Sequence, residues 1–275
     1  MTSVGARVKS ALRCIARATL PRRVRRFLRI AAREIPHRLR DFPADVRDVF
    51  AGKPLPPARL RRRVSRTSSR REFEEIGRGV ASELIAAFDR CREPGASYSR
   101  WLDFGSGAGR VARHLAGFEE VAELEGADVD RDLVAWTDRR LAPARFRLIP
   151  PLPPTELSEG RFDVAICVSV FTHFSEEAGR RWAEELARLL RPGGLLIVST
   201  HGAAIAAAQP LTEAQRRRFA DLGFLFIPGR GTFNEDAAFH SAAYLRSAWS
   251  PWFDPVEFVE HGLMGFQDLC TWRRR

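Results

Sequence analysis

Phe73, Ile76, Val80, Leu84 and Phe88 recur at helical spacing just after a Ser69-x-x-Glu72 capping box, which predicts a helix over roughly residues 71–91. Trp101–Phe104 then reads as a short strand that ends in a run of glycines, and Arg110–Leu115 resumes as helix. Val121–Asp128 predicts the next strand, with Leu133, Trp136 and Leu141 marking the helix behind it. Phe146–Ile149 predicts a third strand, running into Pro150-Pro-Leu-Pro-Pro154. Val164–Val170 is an apolar run suited to a central strand buried on both faces. Ser175 caps a helix whose face is Ala178, Trp182, Leu186 and Leu189. Pro192-Gly-Gly194 stops it, and Leu195–Ser199 follows as another buried strand.

A second capping box, Thr212-x-x-Gln215, starts a helix that runs to about Leu222. Phe224–Phe239 reads as irregular and rich in glycine and aromatic residues, and Ser241–Trp249 as helix. Val256–His261 and Gln267–Trp272, joined by Gly262–Phe266, predict a closing hairpin. Strand and helix alternate until that hairpin. The fold class is therefore α/β: a Rossmann-like, doubly wound, mostly parallel seven-stranded sheet with a C-terminal antiparallel hairpin. The segment 200–251 is far longer than a strand–helix–strand connection requires, and long irregular segments commonly form lids and binding loops.

Charge changes the picture at the N-terminus. The net charge of +11 divides into +17 over residues 1–71 and −6 over the remainder. Residues 1–58 are read as a basic arm and linker, and 59–275 as the folded domain. The arm admits three readings: a solvated tail, a peripheral contact with an anionic membrane surface, or part of a lid. No apolar stretch follows its positive charges, so a signal peptide is not expected. Cys14, Cys91, Cys167 and Cys270 lie far apart with no histidine at ligand spacing. Neither a disulfide framework nor a metal site is expected, and a reducing cytoplasm fits best.

The candidate chemistry centres on Asp103-Phe-Gly105-Ser-Gly107-Ala-Gly109, set between a strand and a helix. Glycines let the backbone turn tightly and approach a ligand. The spacing is GxGxG, and Arg110 stands where a dinucleotide GxGxxG needs its third glycine. No Gly-Lys-Ser/Thr follows, which excludes a P-loop. Asp103 ends its strand just before the turn, where a carboxylate would meet an amino group well and a pyrophosphate badly. Asp128 ends the next strand and suits the two hydroxyls of a ribose; its alternative is to cap the helix opening at Asp130. An amino acid at one end and a ribose at the other describe S-adenosylmethionine.

At this point the chain resembles the class I S-adenosylmethionine-dependent methyltransferases, over about Trp101 to Trp272. The matching stretches are LDFGSGAGR (102–110), GADVD (126–130), FDVAICVSVFTHF (162–174) and LLRPGGLLIVST (189–200). RLRRRVSRTSSRREFEEIG (59–77) also resembles the lead-in of some members of a bacterial subgroup acting on small molecules and saccharides. The resemblance implies that Asp103, Phe104, Gly105, Ser106, Gly107 and Gly109 hold the methionine moiety. It places Asp128 at the ribose, counts Val129 among the cofactor-binding residues, and sets Ser169 near the sulfonium. The acid found near the adenine in many members is missing; Pro151 and Leu152 stand there, so Leu152 would make an apolar contact.

Methyl transfer is an in-line displacement that needs the acceptor lone pair about 3–3.5 Å from the methyl and water excluded. A hydroxyl acceptor also needs a base, and histidine is the usual choice near neutral pH. The candidates beyond the strand ends are Ser169, His173, His201, Asn234, His240 and Tyr244, with His173, His240 and Tyr244 taken as catalytic. His173 has the alternative of fixing its loop, and His240 that of starting a helix. No Asn/Asp-Pro-Pro-Tyr/Phe follows the fourth strand, where the run is Val168-Ser-Val-Phe171. That disfavours nucleobase methylation and leaves a small-molecule or saccharide-type acceptor as the expectation. The rivals are an RNA-directed enzyme using the arm, a cofactor-binding protein without catalysis, and a nicotinamide-dependent oxidoreductase. The last would want glycine at 110 and an apolar residue at 103.

Overall fold

The computed structural model describes residues 55–65, 69–229 and 235–275. The arm expected over 1–58 lies almost wholly outside them. The chain divides into two compact units, residues 1–71 and 72–275. In the first, helix α1 (Ala58–Ser65) carries a buried Arg61 whose Nη1 donates to the Pro56 carbonyl at 2.6 Å. Helix α2 (Arg70–Cys91) begins at the boundary, close to the expected 71–91. Among the described residues, no helix is long and apolar enough to cross a membrane.

The second unit holds β1 (Arg100–Phe104), α3 (Ala112–Leu115), β2 (Glu123–Asp128), α4 (Arg131–Arg140) and β3 (Arg145–Leu148). After them come β4 (Phe162–Cys167), a 3-10 turn (Phe171–His173), α5 (Glu176–Leu189) and β5 (Leu190–Thr200). The chain continues through α6 (Ala203–Ala208), α7 (Glu213–Leu222), β6 (Phe224–Ile227), β7 (Ala237–His240) and α8 (Ala242–Trp249). It closes with β8 (Phe253–Leu263) and β9 (Gln267–Arg274). The main sheet has the order β3-β2-β1-β4-β5-β9-β8. Its first five strands are parallel, and β9 runs antiparallel between β5 and β8.

Both faces of this sheet are covered, and the period-2 alternation of each strand divides its side chains between two cores. Leu102, Phe104, Ala165, Cys167, Leu196 and Val198 pack with Trp182 and Leu186 of α5 and Trp249 of α8. Trp101, Val164, Ile166, Leu195 and Ile197 pack with Val80, Leu84 and Phe88 of α2 and Val134 of α4. The strand expected over Val121–Asp128 carries Glu123 and Glu125, an awkward pair for a buried sheet. Glu125 is indeed buried, and its carboxylate is taken up by Arg147 Nε at 2.8 Å and Arg161 Nη2 at 3.0 Å.

At the same edge, where the parallel strands begin, Asp163 ties the starts of β1, β4 and β5 together. It accepts from the Arg100 main-chain N–H at 2.9 Å, Arg100 Nη2 at 2.9 Å and Arg191 Nε at 2.8 Å. Burial opposes its charge, but the two guanidiniums prevail and hold the carboxyl below its ordinary value. Its stabilising contribution is therefore present above the unfolded-state pKa and lost as pH falls through the folded one. Asp163→Ala should lower unfolding free energy by about 2–3 kcal/mol, short of a fully buried pair because both guanidiniums reach solvent. Urea unfolding at neutral pH and near pH 3 checks this, since the deficit should shrink in acid.

Four expectations need correction. β4 stops at Cys167 and does not reach Val170, because Ser169 turns out of the sheet with φ +59°. Pro192-Gly-Gly194 lies inside β5; α5 ends at Leu189 because Leu190 is already extended. The predicted helix from Arg110 shrinks to α3. Phe224–Phe239 is not irregular at its ends, since β6 and β7 pair antiparallel from Phe224↔His240 to Ile227↔Ala237. With Ile205, Leu211, Leu225 and Phe239 the insertion has a small core of its own.

Candidate active site

The strand order reverses between β1 and β4, and in open α/β sheets the crevice beyond such a switch point receives the ligand. The glycine turn lies there. Gly105, Gly107 and Gly109 have φ of +75°, +55° and +67°, which favour glycine. A Cβ at Gly105 would lie 2.3 Å from Val170 Cγ2, so the turn is packed directly on the segment after β4. Gly105 and Ser106 both donate their N–H to the Ala127 carbonyl, Gly109 donates to Ser106, and Gly107 donates to Asp128 Oδ2 at 2.8 Å. Those four amides are already engaged within the protein and make no nest for a pyrophosphate.

Asp103 is 2% exposed, and its Oδ2 has no hydrogen-bond partner. Burial pushes its carboxyl up to about 7, reinforced by the charge of Asp128 and opposed by Arg110 and the Ala112 amide. An orphaned buried carboxylate oxygen costs stability unless a ligand satisfies it, and a cationic amino group does so best. Ser106 Oγ is likewise buried without a partner. Phe104 contributes only its backbone to this rim, because its ring packs against Trp182 at 4.8 Å.

The helix-capping alternative for Asp128 falls to its neighbour. Asp130 is the N-cap of α4, accepting from Asp132 and Leu133 amides at 3.0 and 3.3 Å. Asp128 Oδ1 accepts from the Asp130 amide at 2.8 Å, and burial raises its carboxyl against these amides. Each of its oxygens keeps a lone pair for a hydroxyl donor. Val129 and Leu152 are each 47% exposed. They follow β2 and β3, neighbouring strands in the sheet, and could flank a flat heteroaromatic ring. An ammonium, a ribose diol and an apolar clamp in that order fit S-adenosylmethionine.

Beyond the ends of β4 and β5, Ser169 donates its N–H to Ser199 Oγ at 2.8 Å and its hydroxyl to Gln267 Oε1 at 3.0 Å. Gln267 Nε2 then reaches His201 Nε2 at 3.3 Å. His173, on the 3-10 turn after β4, places Nδ1 2.7 Å from the Asp236 carbonyl. The structure thus brings Ser169 and His201 into one hydrogen-bonded chain, and His173, three residues past Val170, donates its N–H to the Val170 carbonyl at 3.1 Å.

His240 and Tyr244 are placed otherwise than expected. His240 is a strand residue, 4% exposed, with its ring 5.1 Å from Phe224 and 6.0 Å from Tyr244. Burial, with His201 adding to it, pushes its imidazole down to about 3, which makes it a poor proton acceptor. Tyr244 donates its hydroxyl to Glu176 Oε1 at 3.1 Å, and burial and Glu176 raise its phenol above the ordinary value. Both belong to an aromatic layer inside the insertion. Asn234 lies outside the described residues. Gln267 was not anticipated; its signal is position alone, the first residue of a strand that runs back from the ligand edge.

These features define a class I methyltransferase: a seven-stranded sheet with one reversed strand, a glycine turn after β1 and an acid ending β2. A family profile for a methyltransferase domain matches residues 65–250. The chain belongs to that methyltransferase-domain family, and its cofactor is S-adenosylmethionine. Among solved structures it is similar to a protein of Pyrococcus horikoshii OT3, at 15% identity and a TM-score of 0.52, covering 75% of this chain and 92% of that one. It is similar to a SAM-dependent methyltransferase of Methanosarcina mazei at 15% identity and 0.51, covering 68% and 96%. A third is SAM-bound CalS10, an amino pentose methyltransferase from Micromonospora echinaspora, at 18% identity and 0.51, covering 74% and 96%. At such identities these likenesses speak for the fold.

Proposed function

We propose that this methyltransferase acts on a hydroxyl of a small-molecule or saccharide-type acceptor, and that His173 takes up the hydroxyl proton. The 2.7 Å contact between His173 Nδ1 and the Asp236 carbonyl carries this reading. A carbonyl oxygen only accepts, so Nδ1 holds the ring hydrogen and Nε2 of the neutral ring keeps its lone pair. A fixed tautomer and a held ring are what a general base needs. S-adenosylmethionine, when bound, supplies a methyl group on a sulfonium. Asp103 and Asp128 hold the two polar ends of that cofactor, and Val129 and Leu152 flank its ring. The insertion, with β7 against the 3-10 turn and His201 bridged to Phe239, shields the acceptor side from water. A structural neighbour that is an amino pentose methyltransferase gives the saccharide class a precedent on this fold.

His173→Asn tests the base directly, because an asparagine amide can still donate to the Asp236 carbonyl while offering no base. Labelled methyl transfer into the small-molecule fraction of a cell extract should fall by about a hundredfold. Cofactor affinity should stay within about threefold, since the contact is made on the acceptor side. Label appearing in RNA or protein instead would overturn the acceptor class, and an unchanged rate would return His173 to a loop-fixing role.

A further inference from the structure

Antiparallel pairing of β9 with β5 sets Asp268 opposite Thr200, so the β8–β9 turn lies at the edge where the parallel strands end. That turn is held firmly. Met264 donates its N–H to Glu83 Oε2 at 2.6 Å, Phe266 donates to the Leu263 carbonyl at 3.0 Å, and His261 donates to Asp268 Oδ1 at 3.0 Å. On this fixed turn Phe266 is 55% exposed. A phenyl ring left largely in water forgoes part of the gain of burial, which a single exposed aromatic commonly does without consequence. Its neighbours set it apart. The ring stands edge-on to His201, with centroids 6.1 Å apart at 73°. His201 in turn meets Phe239 at 5.7 Å.

The polar groups beside it are oriented. Gln267 Oε1 accepts from Ser169 Oγ, so Gln267 Nε2 is the amide nitrogen and donates to His201 Nε2. Ser169 therefore turns its hydroxyl hydrogen toward Gln267 and keeps hydroxyl lone pairs free to accept. An apolar ring face lies next to a row of hydrogen-bonding groups, on the same edge as the glycine turn.

We propose that Phe266 is a specificity-determining residue of the acceptor site: its ring is the platform for a flat acceptor ring with an apolar face, whose edge hydroxyls meet the Ser169–Gln267–His201 chain. This rests on the acceptor reading above. An aromatic diol offers its flat π-face and a pyranoside chair the apolar C–H face of its ring, and the test separates them.

Catechol and methyl α-D-glucopyranoside are titrated at millimolar concentration into the full chain saturated with S-adenosylhomocysteine, followed by ligand-observed NMR. Wild type, Phe266→Ala and Phe266→Trp are compared. At least one probe should bind wild type, weaken about tenfold in Phe266→Ala and recover in Phe266→Trp. Binding of catechol alone assigns an aromatic acceptor, and binding of the glucoside alone a saccharide. If neither probe binds wild type, or Phe266→Ala binds as well as wild type, the proposal is overturned. S-adenosylhomocysteine affinity, measured on the same samples, should be equal in all three proteins. Failure of wild type to bind it would instead defeat the cofactor assignment on which both readings stand.

Discussion

Asp128→Ala should weaken S-adenosylmethionine binding several hundredfold, a loss of about 3–4 kcal/mol. One part of the loss is the pair of charge-assisted hydrogen bonds to the ribose hydroxyls. The other is local. Asp128 Oδ2 holds the Gly107 amide and Oδ1 holds the Asp130 amide, each at 2.8 Å, so alanine also releases the glycine turn. Asp128→Asn, which keeps one acceptor oxygen but no charge, should fall between alanine and wild type. Isothermal titration measures the affinity, and circular dichroism shows that the sheet is intact. Unchanged affinity in a folded Asp128→Ala protein would remove the ribose assignment.

Asp103 yields the second large effect, with a pH signature. In the free protein its carboxyl is pushed up to about 7, chiefly by burial. The cationic amino group of the cofactor favours the ionised form, so binding below that pH must drive off a proton. Affinity should rise almost tenfold per pH unit on the acid side of 7 and level off above it. Titrations near pH 6 in buffers of different ionisation enthalpy should show release of close to one proton. Asp103→Asn should bind about 3 kcal/mol more weakly at pH 8 and show no proton release. The sign for stability is opposite. A raised folded pKa gives a contribution that is present below the unfolded value and lost as pH rises through about 7. Without cofactor, Asp103→Asn should therefore melt above wild type in alkaline buffer and close to it in acid. A pH-independent affinity in wild type would show that Asp103 does not meet the amino group.

The parts of the fold that were legible in the sequence are those whose signal is local. Val164, Ile166, Leu195 and Ile197 alternate with Ala165, Cys167, Leu196 and Val198 because each strand is buried on both faces. The glycine turn declared itself because positive φ at Gly105, Gly107 and Gly109 requires a residue type that can be read directly. Ser169 gave no such sign, since its left-handed turn interrupts an apolar run without any glycine. The β6–β7 pair was also hidden. Phe224-Leu-Phe-Ile227 is uniformly apolar, Ala237-Ala-Phe-His240 begins with weak strand formers, and their pairing spans the insertion. That pairing is also why His240 looked available: a polar residue before a capping serine reads as exposed, whereas a strand position facing Phe224 buries it. The Ser169–Gln267–His201 chain joins residues 98 and 66 positions apart, and only the register of β9 on β5 brings them together.

We propose that the glycine turn, Asp103 and Asp128 form a site for S-adenosylmethionine and not for a dinucleotide. The turn's engaged amides, the orphaned oxygen of Asp103 and the arginine at position 110 all bear on that choice. Parallel isothermal titrations of the full chain with S-adenosylmethionine and with NADPH test it most directly. The proposed site should bind one S-adenosylmethionine per chain, bind it more than about a hundredfold more weakly in Asp103→Asn and Asp128→Ala, and give no heat with NADPH. Saturable binding of NADPH with none of S-adenosylmethionine would contradict it.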